Sequence, residues 1–127
     1  MPYFEFQKLE MYHLALDFLV IADGIAQELP RGRAYLKQQL QRSSQSLVDN
    51  IAEGAGEFSP GDKIRFYRYA RRSGVEAASQ LLSIEKLGLG DTKTIHRGLP
   101  LLSRITGKIT AAIKSVQARK APTDPED

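Results

Sequence analysis

Two histidines, His13 and His96, are the residues most able to bind a metal or move a proton, and their spacing to acids decides what they could do. A di-metal carboxylate centre inside a helical bundle needs two Glu-x-x-His pairs and two further inward glutamates. Glu10-Met11-Tyr12-His13 has that spacing, but His96 has Lys93 three residues before it, so the second pair is missing. Chance adjacency near a helix start explains the single pair better than a metal site, and no metal is expected. Cysteine is absent, which removes disulfides, thiolate zinc sites, iron–sulfur clusters and cysteine nucleophiles. The many serines include no Gly-x-Ser-x-Gly turn, and neither histidine has an obvious orienting acid. Gly54-Ala55-Gly56 follows a helix pattern and lacks the lysine of a phosphate-binding loop. A non-enzymatic protein with no cofactor is the expectation.

Two polar features remain. Around Asn50-Ile51-Ala52-Glu53-Gly54, a helical wheel at ~100° per residue puts Asn50 beside the apolar face and Glu53 further round, on the edge of Arg42, Ser46 and Asp49. Glu53 could be a carboxylate in a site; the reading favoured is a flank residue that hydrogen-bonds a neighbouring helix or subunit and fixes its register. The sharper feature is a run of five cations in ten residues, Lys63, Arg65, Arg68, Arg71 and Arg72, with no acid among them. On the wheel Arg65, Arg68 and Arg72 lie within ~60° of one another, opposite the apolar stripe, with Tyr69 toward their edge. Such a stripe can contact phosphates through charge and forked donors while the tyrosine stacks on a base. It can equally be a solvated face, partly neutralised by Glu76 four residues after Arg72. Repetition around a symmetric oligomer would make it a continuous positive field.

The elements that must carry these residues are helices. Leu9, Tyr12, Leu16, Leu19, Ala22, Ala26 and Leu29 recur at gaps of three and four up to Pro30. A second stripe runs through Leu36, Leu40, Ser43, Leu47, Ile51 and Gly54, closed by the glycines of Gly54-Ala55-Gly56. The third starts at Ser59-Pro60, with Asp62 in capping-box position, and runs through Ile64, Tyr67, Ala70, Gly74, Ala77, Leu81 and Ile84 to Gly88. The fourth starts near Asp91 or Thr92, with Ile95, Leu99, Leu102, Ile105, Ile109, Ala112 and Val116 on one face. Pro100 predicts a kink or a late start in it.

These patterns give helices over about 8–29, 32–55, 60–88 and 92–118, one domain over 1–120, and a disordered acidic tail at 121–127. Short links imply an all-α, antiparallel up-down-up-down four-helix bundle crossing at a shallow ~20°. Ser43, Ser44, Ser46, Ala77, Ala78 and Ser79 permit close approach of the second and third helices. The length of 127 residues, 42% of them hydrophobic, supports one such core. The net charge of +3 understates a basic body, because Asp124, Glu126 and Asp127 sit in the last four residues. The longest apolar run, Leu14 to Ala22, is interrupted by Asp17, so no membrane span is expected. The start Met1-Pro2-Tyr3-Phe4-Glu5 lacks the pattern of a secretion signal, and a cytoplasmic protein is expected.

The run from Leu36 to Gly54, ending in Asn50-Ile51-Ala52-Glu53-Gly54, then Arg65-Phe66-Tyr67-Arg68-Tyr69-Ala70, Ser73 and Glu76, resembles the bacterial four helix bundle protein family, also called the 23S rRNA-intervening sequence protein family. Phe6, Leu9 and Pro30 fit it too, and the resemblance extends to about Ala118. It implies an antiparallel four-helix bundle assembled as a ring-like homopentamer with a central channel. Members are encoded within insertions in ribosomal RNA genes; related accessory proteins of diversity-generating retroelements are basic, bind nucleic acid and associate with a reverse transcriptase. Carried over by position, Asn50, Glu53, Gly54, Ser73 and Glu76 match the family's marked polar and glycine positions, as bundle or interface determinants. The chain departs from the family pattern at Arg72, where glycine is expected, and at Gly74, where a larger residue is expected.

The leading expectation is a non-enzymatic homo-oligomer, a pentamer by resemblance, that binds RNA or DNA electrostatically through Arg65, Arg68, Arg71, Arg72 and Lys63. The alternative is a protein-interaction scaffold docking an acidic protein partner, and a protein partner such as a reverse transcriptase fits either.

Overall fold

The structure is a computed structural model and describes residues 2–119; the expected acidic tail at 121–127 lies outside them. Four α-helices account for most of the chain: α1 Glu10–Glu28, α2 Ala34–Gly56, α3 Pro60–Lys86 and α4 Thr92–Arg119. No strand occurs among the described residues. α1 packs on α2 and α4, and α3 packs on the same two, which makes a helical bundle with one shared core.

Each end of a helix has a local cause. Before α1 the chain makes a 3-10 turn, Glu5–Lys8, and Leu9 is extended at φ −92°, ψ 124°, so the α-helix starts at Glu10. The Gln7 side-chain oxygen accepts from the Tyr3 and Phe4 backbone N–H groups at 2.8 and 2.9 Å, which ties the incoming chain over that turn. At α3 the Ser59 hydroxyl accepts from the Asp62 N–H at 3.4 Å, with Pro60 in the first helical position. Its other end closes in a Schellman pattern, Leu89 N–H to Ile84 O at 3.0 Å and Gly88 N–H to Glu85 O at 2.9 Å. That closure requires Gly88 at φ +75°, a conformation costly for a residue with a Cβ. Asp91 caps α4, its carboxylate accepting from the Thr94 N–H at 3.0 Å and hydroxyl at 2.7 Å.

Phe18, Ile25, Leu40, Leu47, Ile51, Leu81, Ile84, Ile95, Leu102, Ile105 and Ile109 are the large fully buried side chains. All seven expected positions of α3 and all six of α2 are buried. α1 is different: Met11, Ala15, Phe18, Ala22, Ile25 and Ala26 face the core, while Leu9, Tyr12, Leu16, Leu19 and Leu29 are half-buried at its margin. α1 is apolar nearly all round, so its neighbours, not its periodicity, select the innermost face.

Of the two outcomes expected at Pro100, a kink or a late start, the late start does not occur: α4 runs unbroken through the proline. The proline removes one N–H in the first third of the helix, but Ile95, Leu102 and Ile105 on either side are locked in the core and hold the turns together. The glycines at the end of α2 are not a left-handed cap either, because positive φ occurs only at Gly88 and Gly90 among the described residues. Gly54 lies inside the helix, and a lysine from α3 meets the last carbonyls instead.

Candidate nucleic-acid interface

α3 touches two partner helices, and this divides its cations into three groups. Lys63 leans back toward the end of α2: its ammonium donates to the Gly54 and Ala55 carbonyl oxygens at 2.8 and 3.1 Å. A cation there satisfies free carbonyls and the negative end of the helix dipole. Burial first, then the nearby Arg119 guanidinium, hold the Lys63 ammonium below the usual lysine range. Arg71 leans the other way, its Nε donating to the Thr110 hydroxyl of α4 at 3.0 Å.

Arg65, Arg68 and Arg72 remain on the exposed face, opposite the buried line of Tyr67, Ala70, Gly74 and Ala77. Arg65 is 2.9 Å from the Asp62 carboxylate and lies over the Phe66 ring at 5.3 Å. An exposed pair one turn apart is worth little, about 0.3–0.5 kcal/mol, so Arg65 is tethered more than neutralised. Arg72 lies over the Tyr69 ring at 5.8 Å, and Tyr69 meets Phe66 edge-on at 6.0 Å. Neither Arg68 nor Arg72 has an ion-pair partner among the described residues. Glu76, expected to offset Arg72, instead accepts from the Gln80 amide at 3.4 Å. The face therefore offers guanidinium groups stacked on aromatic rings, an arrangement suited to phosphates and exposed bases.

The second group of expected residues lies along the α2–α3 seam. The Asn50 amide donates to the Ser46 carbonyl at 2.9 Å and to its hydroxyl at 3.0 Å, and the Ser73 hydroxyl donates to the same Ser46 oxygen at 2.9 Å. Asn50 and Ser73 are thus joined through Ser46. Further along, the buried Ser43 hydroxyl donates to the Gln80 side-chain oxygen at 2.6 Å, and Gln80 in turn donates to Glu76. These chains fix which residue of α2 faces which of α3. Glu53 is exposed, and Gly54 is buried under Tyr67. Ser46 and Gln80 carry the bridges; the sequence marked Ser46 only as a small residue allowing close approach, and Gln80, an ordinary polar flank residue, gave no signal until the helices were paired.

The one metal-like spacing is pulled apart. Glu10 pairs with Lys108 at 3.1 Å and with Arg104, both on α4, while the His13 Nε2 is 2.7 Å from the Gln7 carbonyl oxygen. No group of three or more potential metal ligands occurs among the described residues. No helix of the described residues is long and apolar enough to cross a membrane.

Fold and site together define an all-α bundle whose second and third helices are held by a polar seam, with an arginine face beside it. The sequence pattern of the 23S rRNA-intervening sequence protein family matches residues 7–111, and the chain belongs to that family. No curated protein matches it.

Proposed function

We propose that this protein is a non-enzymatic, cytoplasmic scaffold that binds RNA or DNA electrostatically, without strong sequence preference, through Arg65, Arg68 and Arg72, with Arg71 at the edge. The observation that carries this reading is the arginine face itself: three outward guanidinium groups, two stacked on aromatic rings and two without an ion pair among the described residues. Lys63 serves as the cap of α2 and contributes to the local field.

The scaffold is an up-down-up-down antiparallel bundle that assembles as a homo-oligomer, a ring-like pentamer by family resemblance. The descending pairs Gly54/Tyr67, Ser46/Ser73 and Ser43/Gln80 support opposite directions for α2 and α3. Arg71/Thr110 and Glu85/His96 do the same for α3 and α4.

The alternative, docking of an acidic protein partner, has one observation in its favour: Val75 and Leu82, each 51% exposed, continue the line of Arg68 at heptad spacing. Binding of the purified protein to unrelated RNA and DNA across a salt series tests the proposal. Affinity that falls steeply with salt supports it; no binding at low salt by a folded protein sends the face to a protein partner. Light scattering checks the assembly, a single monomeric mass overturning that part.

A further inference from the structure

Where α2 ends and α3 begins, the bundle holds a cleft of about 400 Å³ that the arginine face does not use. Leu9 and Val116 give it apolar walls, and Lys63, Tyr67, Ser115 and Arg119 line it with polar groups. Tyr67 is only 4% exposed and its hydroxyl has no hydrogen-bond partner among the described residues. No buried side-chain polar atom among the described residues is orphaned, so that hydroxyl opens onto the cleft. Lys63 gives two donors to the α2 carbonyls and keeps a third. Arg119 has no ion pair among the described residues, and the cleft's own acid, Glu5, is 3.1 Å from Lys8. Two cations and two hydroxyls therefore line one cleft, and the carboxylates that attract Lys63 there, Glu57 and Glu5, act more weakly than Arg119 repels it.

We propose that this cleft binds a small phosphate monoester, its phosphate held by Lys63, Arg119, Tyr67 and Ser115 and its apolar or aromatic body lying on Leu9 and Val116. A phosphate monoester brings nearly two negative charges and three acceptor oxygens, which four donors can satisfy better than a carboxylate's two oxygens. Burial first, and then repulsion from Arg119, lower the affinity of Lys63 for its proton, and such an anion relieves that repulsion. The proposal is independent of the arginine face.

Phenyl phosphate is the probe, titrated into the full chain and followed by backbone amide shifts. The expected result is shifts centred on Tyr67, Ser115 and Val116, with inorganic phosphate reaching the same residues more weakly. Arg119→Gln, at the exposed end of α4, should weaken binding by about tenfold or more, as loss of a charge-assisted contact does. Tyr67→Phe should weaken it less, and Arg68→Gln/Arg72→Gln should leave it unchanged. The proposal is overturned if these residues do not respond, if Arg119→Gln binds as well as the wild type, if the Arg68/Arg72 variant loses binding, or if phenol binds as tightly as phenyl phosphate.

Discussion

The ring of Tyr67 fills the space that a side chain at position 54 would need. A Cβ on Gly54 would lie 2.5 Å from Tyr67 Cδ1 and 2.6 Å from Cε1, and 3.3 Å from the Lys63 carbonyl oxygen. The two ring separations are far inside van der Waals contact, and the tyrosine is itself packed in the core, so it cannot move aside freely. Gly54→Ala should therefore destabilise the fold by about 1–3 kcal/mol, the range for overpacking. Gly56, two residues on in the same helix, has nothing within 4 Å of its would-be Cβ. Gly56→Ala should be neutral or stabilising by up to about 1 kcal/mol. Urea denaturation should lower the midpoint for Gly54→Ala and leave it unchanged or raise it for Gly56→Ala; equal losses would refute the contact.

Ser46 joins Asn50 to Ser73, so removing its hydroxyl takes the acceptor from Ser73 and leaves the Asn50 amide only the backbone carbonyl of residue 46. Ser46→Ala should lose about 1 kcal/mol. Asn50→Ala and Ser73→Ala should be non-additive with it in double-mutant cycles, since all three share one network. Strict additivity would mean that the seam does not act as a unit.

Tyr67 also gives an alkaline signature. Burial holds its hydroxyl above the ordinary tyrosine range, with Arg119 opposing more weakly. The folded state thus keeps a proton that the unfolded chain releases near pH 10, so this contribution is complete below that pH and is lost as pH rises toward the folded value. Stability measured from pH 9 to 11 should fall more steeply in the wild type than in Tyr67→Phe. Parallel profiles would contradict the assignment.

Asp91 works at the acid end. Its hydrogen bonds from the Thr94 hydroxyl and N–H hold its carboxyl below the usual aspartate range. Its contribution is present above the unfolded value and disappears as pH falls through the folded one. Asp91→Ala should be less stable than wild type at neutral pH, and the difference should shrink on acidification. A gap that stays constant with pH would show that the carboxylate charge is irrelevant to the cap.

How far the sequence spoke depended on whether the deciding contact was local. The faces of α2 and α3 were readable because Leu36, Leu40, Leu47, Tyr67, Ala70, Ala77 and Leu81 alternate cleanly with polar residues. The face of α1 was not, because Leu14, Leu16, Leu19, Val20 and Ile21 surround it with apolar choices. Cap positions such as Ser59 and Asp91 were legible, since the cap and its partner are three residues apart. The roles of Lys63 and Arg71 were hidden: each is set by an atom of another helix, a carbonyl nine residues back and a hydroxyl 39 residues on. Gly54 was marked by family resemblance, but the reason for it, the ring of Tyr67, emerges only when α2 and α3 are packed.

The central claim is that Arg65, Arg68 and Arg72 contact phosphates through charge. The most direct test compares the slope of log affinity against log salt for the wild type, the triple Arg→Lys variant and the triple Arg→Gln variant on the same RNA and duplex DNA. Each phosphate contact contributes about 0.9 to the slope on duplex DNA and about 0.7 on single strands. The wild type and the lysine variant should share a slope, and the glutamine variant should be shallower by about 2–3 units. A glutamine variant that stays folded and keeps the wild-type slope, or a wild type that fails to bind at low salt, would contradict the account.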